Sequence, residues 1–209
     1  KHGPPVEVKG RLNLVPAYTI HRAPGPVAID GDLAEWSLAA SMPLPYGWDF
    51  DIADTADHQT TVQLMYDAAY LYLSAGVKDE EFYQPYAGDI VWSADNLQMF
   101  FRMEDRSSAP FVFKYYWEWG LSLTNAGPEV FMYHGVNRES TVVNKTVKLA
   151  VKRAGELTYY EAAFPKTEVA PLALMPGATF MFSIASNDLD PSHADRPRHW
   201  SELTPGVGD

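Results

Sequence analysis

Apolar and polar positions alternate along most of this chain with a period of two, and the alternation is cleanest between Gln59 and Val77. Val62, Leu64 and Tyr66 interleave with Thr61, Gln63 and Met65; Asp67-Ala68-Ala69 turns, and Leu71, Leu73, Ala75 and Val77 return on one face. That pattern predicts two half-buried strands joined as a hairpin. Similar runs at Leu97–Met103, Phe111–Leu123, Glu129–His134, Thr146–Arg153, Thr158–Phe164 and Phe180–Ser186 predict further strands. In Phe111–Leu123, Tyr115, Trp117 and Trp119 share one face, with Tyr116 and Glu118 on the other; Phe180, Phe182 and Ile184 point inward together. Helical spacing is confined to single turns at Leu33–Trp36, where Trp36 reads as a buried lid, and at Pro165–Val169. About ten short strands without a long amphipathic helix predict an all-β fold, an antiparallel β-sandwich with jelly-roll or immunoglobulin-like layers and short helical turns. Residues 1–26, rich in proline, read as an extended lead-in or linker with one edge strand at Ala17–His21, and residues 27–209 as the sandwich domain.

Composition narrows the class of function. Of 209 residues, 46% are hydrophobic and 13% aromatic, enough for a sizeable core and for stacking platforms. A net charge of −11 without a basic run argues against nucleic acid and anionic membranes as partners. No apolar run approaches the roughly 20 residues that span a bilayer. The absence of a leader reads as a mature chain or an excised piece. With no cysteine, disulfides, thiolate metal sites and thiol catalysis are excluded. Between Ala23 and Val77 there is no Lys or Arg but eight acids, so the segment is either a solvated acidic surface or a place for hard cations. The loop Asp49–Asp57 reads first as solvated, since its spacing does not match a helix-loop-helix calcium site.

Chemistry concentrates in Gly88–Phe101, GDIVWSADNLQMFF, where Trp92 stands just before a strand and Gln98 follows within it. An indole beside a hydrogen-bonding side chain suits a sugar, which has an apolar C–H face and an equator of hydroxyls; packing at the core or rim is the alternative reading. No nucleophile elbow, His-Glu-x-x-His or phosphate-binding loop occurs, so catalysis is not expected. Met99 and Met181 alternate with aromatics and read as core filling before haem ligation.

The segments VAIDGDLAEW, VQLMYDAAYLYLSAGVKDEEF, GDIVWSADNLQMFF, YYEAAFPKTEV, FMFSIASNDLD and HWSELTPGVG resemble, in order and spacing, the family 9 carbohydrate-binding modules. The resemblance covers Val27 to the C-terminus. It implies a non-catalytic β-sandwich that clamps a sugar, at a chain end, between two tryptophans and carries structural Ca2+. It also implies a module attached to a secreted polysaccharide-active enzyme, hence an extracellular or periplasmic location. Trp92 is similar to the first clamp residue and Trp200 to the second. Gln98 stands where the family usually has a Glu; Arg196, Arg198 and His199, just before the second tryptophan, could bond hydroxyls or meet an acidic sugar. Gln98, Arg198 and Asn187 are the candidate hydrogen-bonding residues, with Trp119 as a further candidate platform. Asp30, Asp32, Asp79, Asp188 and Asp190 fall in segments where related modules bind calcium. Family members typically continue into a last strand beyond this point. Two other readings keep the sandwich: a b-type haem domain of electron transfer, and a ligand-free docking module.

Overall fold

The computed structural model describes residues 16–47, 53, 55–105, 112–136, 142–192 and 198–205. Twelve strands run through the described residues: β1 (His21–Arg22), β2 (Met42–Pro43), β3 (Gln59–Tyr66), β4 (Tyr70–Lys78), β5 (Asn96–Asp105), β6 (Val112–Thr124), β7 (Gly127–His134), β8 (Val142–Val143), β9 (Lys148–Ala154), β10 (Leu157–Pro165), β11 (Met181–Asp188) and β12 (His199–Glu202). They form two sheets. The first has the order β1-β3-β4-β10-β9 with β2 also on β3; the second has the order β12-β11-β5-β6-β7-β8. All pairings are antiparallel except β1 with β3.

The expected sandwich is therefore present, and the two sheets enclose one core. Val62, Leu64, Leu73, Ala75 and Phe164 from the first sheet meet Leu97, Met99, Phe101, Trp117, Trp119, Leu121 and Ile184 from the second. Phe164 lies 6.4 Å from Phe101 and 5.2 Å from Trp119 between ring centres, the distances of favourable aromatic contacts. Trp119 is thus sealed in the core at 0% exposure, which corrects the expectation that it could be a sugar platform. The reason is parity: it shares its face with Trp117 and Leu121, and that face points inward. Met99 is core as expected, whereas Met181 pairs with Arg102 on the opposite face of the sheet, so the two cannot ligate one haem.

A second, smaller cluster covers the outer face of the first sheet, where Trp36 packs with Met65, Tyr72 and Ala163. The 3-10 turn Ala34–Leu38 presents Trp36 as the predicted lid. Its indole N–H donates to Glu161 Oε1 at 2.7 Å, and the Asp30 and Gly31 amides donate to Glu161 Oε2 at 2.9 and 2.7 Å. Gly31 adopts φ +81, and a side chain there would press on Lys152 Cβ, so the Asp-Gly turn needs its glycine.

Three short strands escaped the sequence pattern. β2 and β8 are two-residue pairings with no period to read, and β12 lies where a loop was expected to run to Trp200. The expected edge strand Ala17–His21 is reduced to β1. No helix among the described residues is long and apolar enough to cross a membrane.

Candidate functional site

The outer face of the second sheet carries the 3-10 segment Gly88–Ser93, which positions Trp92. Gln84 Nε2 donates to the carbonyls of Val91 and Asp95 at 2.9 Å each, and the Gly88 amide donates to Glu129 Oε1 at 2.7 Å. Val91 then packs directly on β6 at Gly120, where a Cβ would lie 3.0 Å from Val91 Cγ2 and 3.2 Å from Tyr133 Cε2. This close approach is why glycine occupies the middle of a strand. Replacing Gly120 with valine is expected to lift the segment and cost about 1–3 kcal/mol, read as a lower denaturant midpoint. With Val91 buried, its neighbours Ile90 and Trp92 are left outward, 46% and 38% exposed.

Beside Trp92, polar side chains cross the sheet from strand to strand. Asn187 faces Trp200 on β12 and Asn96 on β5, while Gln98 faces Ala185 and Gly120. Arg198 Nη2 donates to Asn187 Oδ1 at 3.2 Å; Asn187 Nδ2 donates to Asn96 Oδ1 at 2.8 Å and lies 3.5 Å from Gln98 Oε1. Gln98 Nε2 donates to Glu118 Oε1 at 2.6 Å, and Tyr116 donates to Glu118 Oε2 at 3.0 Å. Burial, then the charge of Glu118, raises the Tyr116 phenol above its usual value, so it remains a donor.

The Arg198 guanidinium lies over both tryptophans, 4.7 Å from the Trp92 ring centre and 5.5 Å from that of Trp200. Trp200 is 6% exposed, against 38% for Trp92. The expectation of two indoles open to one cleft is corrected accordingly: both rings converge, but on an arginine, and only Trp92 offers a face to solvent. The cause is strand parity, since Arg198 and Trp200 stand two residues apart and point the same way.

His199, between them, points the other way into a nest of acids at the end of the sandwich. Its Nε2 is 2.7 Å from Asp188 Oδ2 and 3.0 Å from Asp57 Oδ2. Three groups could each hold a cation, with donor atoms within 4.8 Å of one another: Asp79, Asp95 and Asp188; Asp57, Asp188 and Asp190; and His58, Asp188 and His199. Asp79, Asp95, Asp188 and Asp190 are all buried. Asp188 Oδ1 is also without a hydrogen bond. Burial, with the charge of Asp188 adding to it, pushes Asp79 up to about 7 and Asp95 up to about 9. Arg153 offsets this only in part, its Nη1 lying 3.7 Å from Asp79 Oδ2. Burial holds His58 at about 4, so it is a neutral donor, whereas the hydrogen bond to Asp188 raises His199. Converging buried carboxylates with an unpaired oxygen are the donor set of a hard divalent cation.

Residues 29–206 match the family model described as carbohydrate family 9 binding domain-like. The chain belongs to that family. Similar solved structures include a family 9 carbohydrate-binding module from Caldicellulosiruptor kristjanssonii in complex with glucose, at TM-score 0.56 and 14% identity, covering 88% of this chain and 84% of that one. The same organism's module in complex with cellotriose gives TM-score 0.60 at 14% identity, with 88% and 83% covered. A candidate carbohydrate-binding protein from Bacteroides uniformis gives 0.61 at 15%, with 91% and 89% covered. A comparison with curated proteins found no sequence match.

In this family 9 domain the structure gathers Trp92, Gln98, Asn187, Arg198 and Trp200 around one face. It gathers Asp79, Asp188 and Asp190 in the acid nest. Asp30 and Asp32 do not join them: Asp30 Oδ1 accepts the Asp32 amide and Asp32 Oδ1 the Ala34 amide, so both serve the Trp36 turn. Arg196 and most of Asp49–Asp57 lie outside the described residues. Sequence reasoning did not single out Glu118, whose carboxylate stands beside Gln98 and accepts its Nε2–H. Its outward parity was legible, but its place one strand away depended on register. Asp95 was also missed, as part of the acidic turn before β5.

Proposed function

We propose that this family 9 domain is a non-catalytic carbohydrate-binding module that takes a sugar, at the end of a chain, on the exposed face of Trp92. The observation that carries this reading is a half-exposed indole standing beside an aligned polar strip, Arg198–Asn187–Gln98–Glu118, on a rigid sheet. The indole suits the C–H face of the sugar and the strip suits its hydroxyls. Stacking adds about 0.5–1.5 kcal/mol beyond area burial, so free sugars bind at micromolar strength or weaker. The complexes of similar modules with glucose and cellotriose support the same ligand class. Calorimetry against neutral and acidic mono- and oligosaccharides tests it: heat of binding is expected for some, and silence across the panel with an intact thermal transition overturns it.

Calcium fits the acid nest as a structural ion, held by Asp188 either with Asp79 and Asp95 or with Asp57 and Asp190. When bound, it neutralises carboxylates that otherwise repel. It also steadies β12, whose His199 faces the nest while Arg198 and Trp200 face the sugar. At saturation a bound ion stabilises by about 2.7 kcal/mol or more, so EDTA is expected to lower the melting temperature by about 5–10 °C, with recovery on adding calcium. A transition indifferent to EDTA and calcium rules the ion out and leaves the sugar site untouched. The domain reads as a secreted module, appended to a polysaccharide-active enzyme.

A further inference from the structure

We propose that Arg198 makes this platform selective for an acidic sugar, one bearing a carboxylate or sulfate, stacked on Trp92. The proposal rests on the carbohydrate-binding reading and specifies its ligand.

Arg198 is positioned like a ligand-reading residue and not like a surface cation. Its guanidinium lies over both indoles, which favours the cation and at the same time strips water from it. Its one hydrogen bond among the described residues is to a neutral amide, Asn187 Oδ1, and Nε is buried with no partner. Burial lowers its pKa, and among the described residues no carboxylate is paired with it. A half-buried cation without a counter-ion among the described residues is costly, and an anion arriving with the ligand relieves that cost.

The neighbouring groups cannot supply that anion themselves. Glu118, the nearest carboxylate along the strip, is engaged by Gln98, by Tyr116 and by His134 at 3.6 Å. Asn187 is locked by its donation to Asn96, which fixes its Oδ1 toward Arg198. Nε has no accessible surface, so an arriving carboxylate or sulfate meets the Nη edge of the guanidinium, where Nη2 is shared with Asn187 and Nη1 has no hydrogen bond among the described residues. A neutral hydroxymethyl group offers a single oxygen and leaves the edge half-filled. Apart from Glu118, at the far end of the strip and engaged by its neighbours, the domain's charge of −11 works against acidic ligands from a distance. At physiological salt that repulsion is screened beyond about 8 Å, so the local pair decides.

The test is calorimetry of the calcium-supplemented domain with glucuronic acid, glucose 6-sulfate and glucose, and with the corresponding oligosaccharides. The wild type is expected to bind at least one acidic sugar ten times or more tighter than glucose, with an advantage that shrinks as NaCl is raised. Arg198→Gln is expected to abolish the advantage at an unchanged melting temperature, and Arg198→Lys to keep only part of it. The carboxylate and sulfate arms tell which anion is read. Equal affinity for neutral and acidic sugars overturns the proposal while sparing the carbohydrate reading. A gain in glucose affinity for Arg198→Gln also overturns it, because Arg198 would then be a cover that neutral sugars displace. Silence with every sugar overturns both.

Discussion

Replacing Trp92 with alanine is expected to reduce sugar affinity by about 30-fold or more, because the stacked face and its buried area together carry about 2–3 kcal/mol. The thermal transition is expected to stay within a few degrees of the wild type. Trp92 is 38% exposed, and its anchoring is done by Val91, Gln84 and the Gly88 amide, none of which the substitution touches. Calorimetry and a melting curve on the same sample check both halves. A large fall in melting temperature would show Trp92 to be packing, and full affinity in the variant would move the platform elsewhere. Tyr83 and Ile90, also exposed, would be the next surfaces to examine.

The opposite pattern is expected at Glu161, on the other sheet. This side chain is fully buried and accepts hydrogen bonds from the Trp36 indole and from the Asp30 and Gly31 amides. Glu161→Ala leaves three donors, two of them buried, without an acceptor and opens a cavity under the lid. The expected loss is about 3–5 kcal/mol, or about 10 °C in melting temperature for a domain of this size. Glu161→Gln should cost less, since it keeps one acceptor and the shape but turns an NH2 toward donors. Sugar affinity measured well below the transition should be unchanged in both, because the proposed platform lies on the second sheet. An alanine variant as stable as the wild type would show that the Asp-Gly turn and Trp36 are not anchored through Glu161.

Much of this architecture was legible because burial of one face of a strand imposes a period of two. Val62, Leu64, Leu97, Met99 and Ile184 announced the core in that way, and Tyr116 and Glu118 announced the outer face of β6. Trp119 shows how the same rule could have been applied further. Its parity with Trp117 and Leu121 already placed it inside, and only the attraction of an aromatic residue suggested otherwise. Trp36 was read correctly because helical spacing with Leu33 indicated a lid.

The candidate site was legible as residue types, not as an arrangement. Trp92, Gln98, Asn187, Arg198 and Trp200 could be named one by one. That Arg198 would lie over both indoles, and that Glu118 would stand beside Gln98, followed from the pairing of β12 with β11, β11 with β5 and β5 with β6. The acid nest was harder still, since Asp79, Asp95 and Asp188 come from the ends of different strands and Asp30 and Asp32 carry the same local signal without joining. Local sequence determined strand, turn and which face was apolar, because those depend on neighbours two residues away. Register, sheet order and the company each side chain keeps depend on residues as far apart as Asp57 and His199, and there only the packed chain decides.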